Sequence, residues 1–518
     1  NPHLTGRTGS SNFPVVNALQ STIAGGTDAF LIKFSSTGMP FWATYFGGSS
    51  DDGAGYRSGQ GGGIAIDLSG NVYMCQSTGS PDLPVVNAHQ STLGGSGDAF
   101  LAKFSNSCSP RWVTYLGGSA NDAPRSCTVT PQNTVAVCGH TWSTNFPLLH
   151  PLQSVYQGNV NDAFITEYDS SGVMSWSSYI AGNGTDGGFA VATDQQGALY
   201  VGVRCGSTNM PLLNPLQSSA GGDDIYLCKY AATATPANGR SLEYATYWGG
   251  SKGDTPYKGS IVIDANGRVI VVGQTNSLDY PLLNPIQSTL NGGADICILV
   301  VAANGAAEHS TYYGGNKVDG GLAAALDPGG NLVVVGNTES TVFPVANANQ
   351  STLGGSFDGF ILHLKLSGGS VVLPPNTPSN LTAVAVSPTS VQLDWQDNAD
   401  NEGSFEIEHK TTSSQWSSVK TVLANTTTCT VMDLTPQTEH SFRVRAVNSQ
   451  YESDYTNTAS ASTTTFNAPT GLTADSLTIS SLVLSWQDNS GNEDRFVVEQ
   501  SPDGSNWTES LTTMKDLT

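Results

Sequence analysis

The sequence predicts an all-β protein of repeated four-stranded units followed by smaller β-sandwiches. Three observations lead there. One phrase of about twenty residues occurs six times, first as "FPVVNALQSTIAGGTDAFLIKF" and next as "LPVVNAHQSTLGGSGDAFLAKF". Between copies lie short runs that alternate apolar and polar residues, with no helical period. After the proline-punctuated "LPPNTPSN" the repeat stops and a different spacing of alternating runs takes over.

The phrase begins at Phe13, Leu83, Phe146, Met210, Tyr280 and Phe343. Each copy carries a Pro, a Gln-Ser pair, and an Asp just before an apolar run. The glutamines are Gln20, Gln90, Gln153, Gln217, Gln287 and Gln350, and the aspartates Asp28, Asp98, Asp162, Asp224, Asp295 and Asp358. A fixed period of this kind decides architecture before any single residue does. In the second unit "GIAID" and "NVYMCQ" flank the turn "LSG" as a hairpin, "DAFLAKF" is a third strand, and "RWVTYLGG" a fourth. Four antiparallel strands per repeat read as one blade of a β-propeller. The phrase is the connection between strands two and three. Six blades are favoured over seven; "HLTGRT" at the start lacks its hairpin partner, and a segment upstream would complete it or add a blade.

These units resemble the SBBP family of β-propeller repeats, through the Pro…Gln-Ser…Gly-Gly…Asp phrase and the endings "TYFGG", "TYLGG", "TYWGG" and "TYYGG". The third repeat departs with "SYIAG". The resemblance covers residues 1–374 and implies a large secreted or cell-surface bacterial protein. Downstream, the Trp395 strand and "FRVRAVN" resemble a fibronectin type III domain over 378–465, with His440 where that family usually has its corner tyrosine. The same pattern restarts and breaks off in 467–518, an incomplete second module.

Composition narrows the function. Lys and Arg total 20 against 42 Asp and Glu, a net charge of −22, and charged residues are only 12% of the chain. With no basic stripe to neutralise phosphates, nucleic acid and anionic membrane surfaces are excluded as partners. No apolar run reaches the length of a membrane span. Other proteins or glycans at a cell surface are left, with self-association open.

One set of recurring residues is a candidate binding site. Asp52, Asp122, Asp186, Asp254 and Asp319 follow the "GG" endings, and loop geometry puts them on the same face as the phrase. Five carboxylates on one face suit a cation such as Ca²⁺ or glycan hydroxyls, although no EF-hand or nonapeptide motif accompanies them. A residue present in every repeat also solves a problem every repeat has, so scaffolding is the leading reading: Gln and Asp side chains satisfy the backbone of the long connection. Catalysis breaks symmetry, and the residues that do so are Tyr56, Arg57, Arg125, His140, Trp142, Arg204, Trp248, Tyr257 and His309. No nucleophile elbow or zinc motif joins them, and no cofactor is called.

Of eight cysteines, Cys127 and Cys138 flank "CTVTPQNTVAVC" symmetrically and are expected to face one another; Cys205 and Cys228 are a second candidate bridge. Bridges would place the chain in an oxidising compartment. The function expected is a non-enzymatic extracellular or cell-surface binding or spacing protein. A polysaccharide-active enzyme with its site on the propeller face, and a subunit of an extracellular filament or sheath, are the alternatives.

Overall fold

The computed structural model describes the chain apart from residues 54–61, 159, 233–238, 347, 368–369, 373, 450, 466, 479–480, 491–494 and 515–518. Every regular element described is a β-strand. No described helix is long and apolar enough to cross a membrane, a statement that does not bear on β-barrels. The chain divides into two units, residues 1–344 with 350–372, and residues 345–349 with 373–518.

In the first unit the strands form successive small antiparallel sheets. His3–Thr8, Asp28–Phe34 and Pro40–Phe46 make a three-stranded sheet. Ile64–Ile66, Val72–Thr78, Asp98–Phe104 and Pro110–Leu116 make the first four-stranded one. The third sheet is Asp122–Val129, Val135–Thr141, Asp162–Tyr168 and Met174–Ile180; the fourth is Asp186–Thr193, Leu199–Cys205, Asp224–Tyr230 and Leu242–Trp248. The fifth runs Asp254–Ile263, Val269–Thr275, Asp295–Val301 and Ala307–Tyr313. The sixth runs Asp319–Leu326, Leu332–Thr338, Asp358–Ser367 and Ser370–Val372. Within each sheet strands pair in chain order, because short turns favour antiparallel neighbours. The aspartate that closes each phrase is the first residue of a strand in all six sheets.

Both faces of the middle strands are buried, so these strands read as near-continuous apolar runs rather than clean alternation. Cys75, Leu101 and Trp112 of the second sheet pack on Cys127, Val137 and Phe164 of the third. The opposite face of the third sheet, with Cys138, Ile165 and Trp176, packs on Val201, Tyr226 and Cys228 of the fourth. Large aromatics fill these layers: Trp112, Trp176, Tyr115 and Tyr179 are each at most 2% exposed. Their polar atoms tie sheet to sheet, as where Trp112 Nε1 donates to the Ser170 carbonyl at 3.2 Å. A bidentate ion pair does the same: Arg240 Nε and Nη2 each reach Glu167 at 2.8 Å, and both side chains are buried.

The cysteine pairings expected from sequence are corrected by register. The 130–134 turn, closed by Asn133 N–H to the Thr130 carbonyl, centres the hairpin on Gln132 rather than between Gln132 and Asn133. Cys127 therefore faces Val137, and Cys138 faces Ser126. A one-residue slip sends a side chain to the other face of a sheet, and Cys127 and Cys138 do lie in different apolar layers. Cys228 pairs in register with Val201, four positions from Cys205 along the strand. That is roughly 13 Å of strand, beyond the reach of a disulfide. All eight thiols are free, and the cysteine argument for an oxidising compartment falls with the bridges.

The second unit begins with a sandwich. One sheet is Ser379–Ser387, Ser390–Gln396 and Thr428–Val431; the other orders Ser417–Leu423, Ser404–Thr411, Glu439–Val447 and Ala459–Ser462. Trp395, Phe405, Ile407, Phe442 and Val444 form its core. His440 donates from Nε2 to the Thr435 carbonyl at 2.9 Å, the upstream backbone bond that a corner tyrosine makes. Its Nδ1 is then the acceptor for His409 Nε2 at 2.8 Å. Beyond it two hairpins are described, Thr470–Thr478 with Ser481–Gln487 and Arg495–Gln500 with Thr508–Met514.

Candidate functional site

The recurring side chains build one network, repeated from sheet to sheet. Asp98 is fully buried and accepts from Gly94 N–H at 2.8 Å, Gly95 N–H at 3.2 Å and Gln90 Nε2 at 3.1 Å. Gln90 Oε1 in turn accepts from Gly117 N–H at 3.1 Å. Equivalent donors from the phrase's own backbone reach Asp28, Asp162, Asp224, Asp295 and Asp358. Gln20, Gln287 and Gln350 bond their aspartates as Gln90 does; Gln217 Nε2 instead donates to the Ser219 carbonyl, and its Oε1 accepts from Gly249 N–H.

The second acid set is built the same way. Asp122 Oδ2 accepts from Gly118 N–H at 2.7 Å and Ser143 Oγ at 2.9 Å. Asp52, Asp186, Asp254 and Asp319 do so with Gly48 and Ser80, Gly182 and Ser207, Gly250 and Ser277, and Gly315 and Ser340. Those serines escaped the sequence reading. Their signal is present: each stands three residues before the aromatic or aliphatic residue that opens a phrase. The tyrosine of "TYxGG" completes the frame, for Tyr115 OH donates to the Ser80 carbonyl and accepts from Leu83 N–H.

An acid of each set, from neighbouring sheets, meets the other across one glycine. A Cβ on Gly117 would stand 2.6 Å from Asp98 Oδ1 and 2.7 Å from Asp122 Oδ2, which is why the first residue of the "GG" pair has no side chain. The third repeat carries Ala181 there, and Gln153 Nε2 donates to the Ala181 carbonyl rather than to Asp162. Burial, then the neighbouring carboxylate, lifts Asp122 and Asp162 to about 6 and Asp224 to about 7. Oδ1 of Asp52, Asp122, Asp186, Asp254 and Asp319 is buried without a protein partner. Among the described residues no group of three or more His, Cys, Asp or Glu is placed to hold a metal ion.

Symmetry breaks elsewhere, on the edge strands that open the third to sixth sheets. Asp122–Val129, Asp186–Thr193, Asp254–Ile263 and Asp319–Leu326 pack against one another in succession. Each bulges at the same place, so that Arg125, Phe189, the stretch 257–260 and Leu322 fall out of register. A bulge re-aims side chains, and here it presents a different residue from each sheet.

Arg125 is 7% exposed, its guanidinium 5.5 Å from the centre of the Phe189 ring and 3.3–3.4 Å from both nitrogens of His140. Trp142 packs edge-on against His140, ring centres 4.9 Å apart. Burial and the neighbouring guanidinium push His140 down to about 3, so it stays neutral. Tyr257 donates to Gln274 at 3.0 Å, and Gln274 Nε2 donates to the Asp319 carbonyl at 3.1 Å. Lys258 reaches the Gly62 carbonyl. The other singular residues are scattered: Arg204 pairs with Asp223 on the surface, Trp248 donates to Ser310 Oγ, and His309 is buried. Tyr56 and Arg57 lie outside the described residues.

The regulatory protein FlaEY of Caulobacter vibrioides is 26% identical over 310 residues, 57% of this chain and 32% of that protein. The chain thus spans about a third of that relative's length. Among solved structures, the FN5 domain of Drosophila Lar is 19% identical over 18% of this chain and 98% of that one, TM-score 0.16. The human contactin 1 fn3 domain is 16% identical over 18% of this chain and 82% of that one, TM-score 0.17. The fibronectin type III family model matches residues 376–462. With the sandwich order, the Trp395 core and the His440 corner already in place, residues 376–462 are a fibronectin type III domain.

Proposed function

We propose that the six sheets are blades of an SBBP-type β-propeller, and that the chain is a non-enzymatic extracellular or cell-surface protein. The propeller is its binding or spacing module, and the fibronectin type III domains are its stalk. The observation that carries this reading is that both recurring acid sets accept from donors of the repeat framework itself, within one sheet's connection or across to the next. They are construction, and the residues that differ between repeats are left as the contact surface. The successive packing of the edge strands supports a disk in which those residues line the centre. The fibronectin type III domain supports a structural or binding role, since such sandwiches serve as modular spacers. Partners are other proteins or glycans at a cell surface, and the net charge of −22 favours neutral glycans over anionic ones.

The test is a glycan array and a polysaccharide-degradation screen on the same preparation, with surface proteolysis of the source cells. Saturable glycan or protein capture without turnover, and protease-sensitive display, support the reading. Depolymerisation of any polysaccharide would replace it with the enzyme alternative.

A further inference from the structure

The second and fourth sheets carry the same trio of side chains. In the second, Tyr73 OH lies 3.5 Å from Asp67 Oδ2, and the Lys103 ammonium stands 4.8 Å over the Tyr73 ring. In the fourth, Tyr200 OH lies 3.3 Å from Asp194 Oδ2, and the Lys229 ammonium stands 5.2 Å over the Tyr200 ring. What lies beside the trio then differs. Trp112 Nε1 and Lys103 Nζ both donate to the Ser170 carbonyl, at 3.2 and 3.3 Å, and tie the turn of the third sheet against the second. In the fourth sheet the register puts Tyr244 where Trp112 stands and Glu243 where Arg111 stands. Lys229 turns to Glu243 at 2.8 Å, and Tyr244, 5% exposed, keeps a buried hydroxyl with no partner. Between the fourth and fifth sheets a cavity of about 310 Å³ opens, bounded by the turns at 194–198 and 264–267 and by Ala303. Ala303 holds the place that Ser170 fills at the other junction.

Small-molecule pockets run from about 300 to 1,000 Å³, so this one takes a single small ligand or one unit of a chain. Its ionic groups are already engaged within the protein. Lys229 pairs with Glu243, and Asp264 pairs with Arg268 at 2.6 Å. Asp194 accepts from the N–H groups of Gln196 and Ala198, at 3.0 and 2.9 Å, as well as from Tyr200. Arg268 is shared with Glu308 at 3.7 Å, so the balance around the cavity is negative and an anion is repelled. The groups left to meet a ligand hydrogen-bond in both directions: the carboxamides of Gln195, Gln196 and Asn266 line the cavity on exposed residues.

We propose that this cavity binds one sugar residue of a neutral glycan. A sugar hydroxyl both donates and accepts, which matches carboxamides that do the same and carboxylates that accept. The methyl groups of Ala265 and Ala303, also in the lining, meet the C–H groups of the sugar ring. The site exists at one junction of the repeat because Tyr244 and Glu243 replace Trp112 and Arg111, so it belongs to the residues that differ between sheets. The inference rests on the binding reading above for its partner class, and stands whether or not the sheets close into a ring.

The experiment is isothermal titration of the whole chain with maltotriose, cellotriose, mannotriose and triacetylchitotriose, and with trigalacturonate as the anionic counterpart. Saturable one-to-one binding of at least one neutral trisaccharide is expected. Ala303→Trp fills the cavity from an exposed turn and should abolish it, and Gln196→Ala should weaken it at least fivefold. Ser170→Trp puts the same bulk on the exposed matching turn of the third sheet and should bind as the unmodified chain does. If Ala303→Trp fails to fold, Gln196→Ala decides alone. No saturable binding of any neutral trisaccharide, trigalacturonate binding tightest, equal loss in Ser170→Trp, or unchanged affinity in folded Ala303→Trp or in Gln196→Ala would each overturn the proposal. Glycan capture that survives in folded Ala303→Trp would remove this site and leave the wider binding reading in place.

Discussion

Replacing Asp98 by Ala tests whether the repeated acids are construction. The side chain is fully buried and is the acceptor for two backbone donors, Gly94 and Gly95, and for Gln90. Leaving a buried donor unpaired costs about 1–3 kcal/mol each. Against this, Ala removes a carboxylate whose burial is itself unfavourable, as its raised pKa records, desolvation being the largest cause. The balance is a loss of about 1–3 kcal/mol, smaller than the sum of the broken bonds. For a unit of this size that is roughly 1–4 °C in melting temperature. Asp98→Asn keeps an acceptor oxygen without the charge and should lose less than half as much. The sign with pH follows: a carboxylate with a raised folded pKa stabilises the fold below its unfolded value and loses that contribution as pH rises through the folded one. The unmodified chain should therefore lose ground to Asp98→Asn as pH rises from 4 to 7. Differential scanning calorimetry reads all three variants; an unchanged melting temperature for Asp98→Ala would refute the scaffolding argument.

Three further outcomes are expected. Non-reducing peptide mapping should find Cys127, Cys138, Cys205 and Cys228 all alkylated after denaturation, and a Cys127–Cys138 bridged peptide would contradict the hairpin register. Arg240→Met should cost about 3–5 kcal/mol, because it strands the buried Glu167 carboxylate; a loss below 1 kcal/mol by urea titration would show that water reaches Glu167. Burial pushes His309 down to about 4, so it folds neutral while the unfolded chain takes up a proton near pH 6.5. The stability lost on acidification from 7 to 4.5 is then about 2–3 kcal/mol from this residue. His309→Leu should remove that share, seen as a flatter profile of unfolding free energy against pH, and a parallel profile would place water at the imidazole.

Much of the framework was legible in the residues. The six phrases, the aspartate that opens each following strand and the tyrosine before each "GG" are local patterns, and each solves a problem within its own repeat. The side-chain alternation of a strand and the backbone needs of a long connection act over a few residues, so they leave a mark in every copy. The serines that complete the second acid set were as regular, and were passed over because Ser is common in loops. The His440 corner was also legible, since one ring nitrogen can do the work of a tyrosine hydroxyl.

Register and juxtaposition were decided only in three dimensions. Whether Cys127 faces Cys138 or Val137 turns on the centre of a hairpin loop, a displacement of one residue that no apolar pattern records. The bulges that free Arg125, Phe189 and the 257–260 stretch are exceptions to alternation, so a reading based on alternation passes over them. The approach of Arg125 to Phe189, from different sheets, is set by how apolar layers stack edge strands against one another. Local physics wrote the repeated scaffold into the sequence; the contacts between unlike residues of neighbouring sheets exist only because packing brings them together.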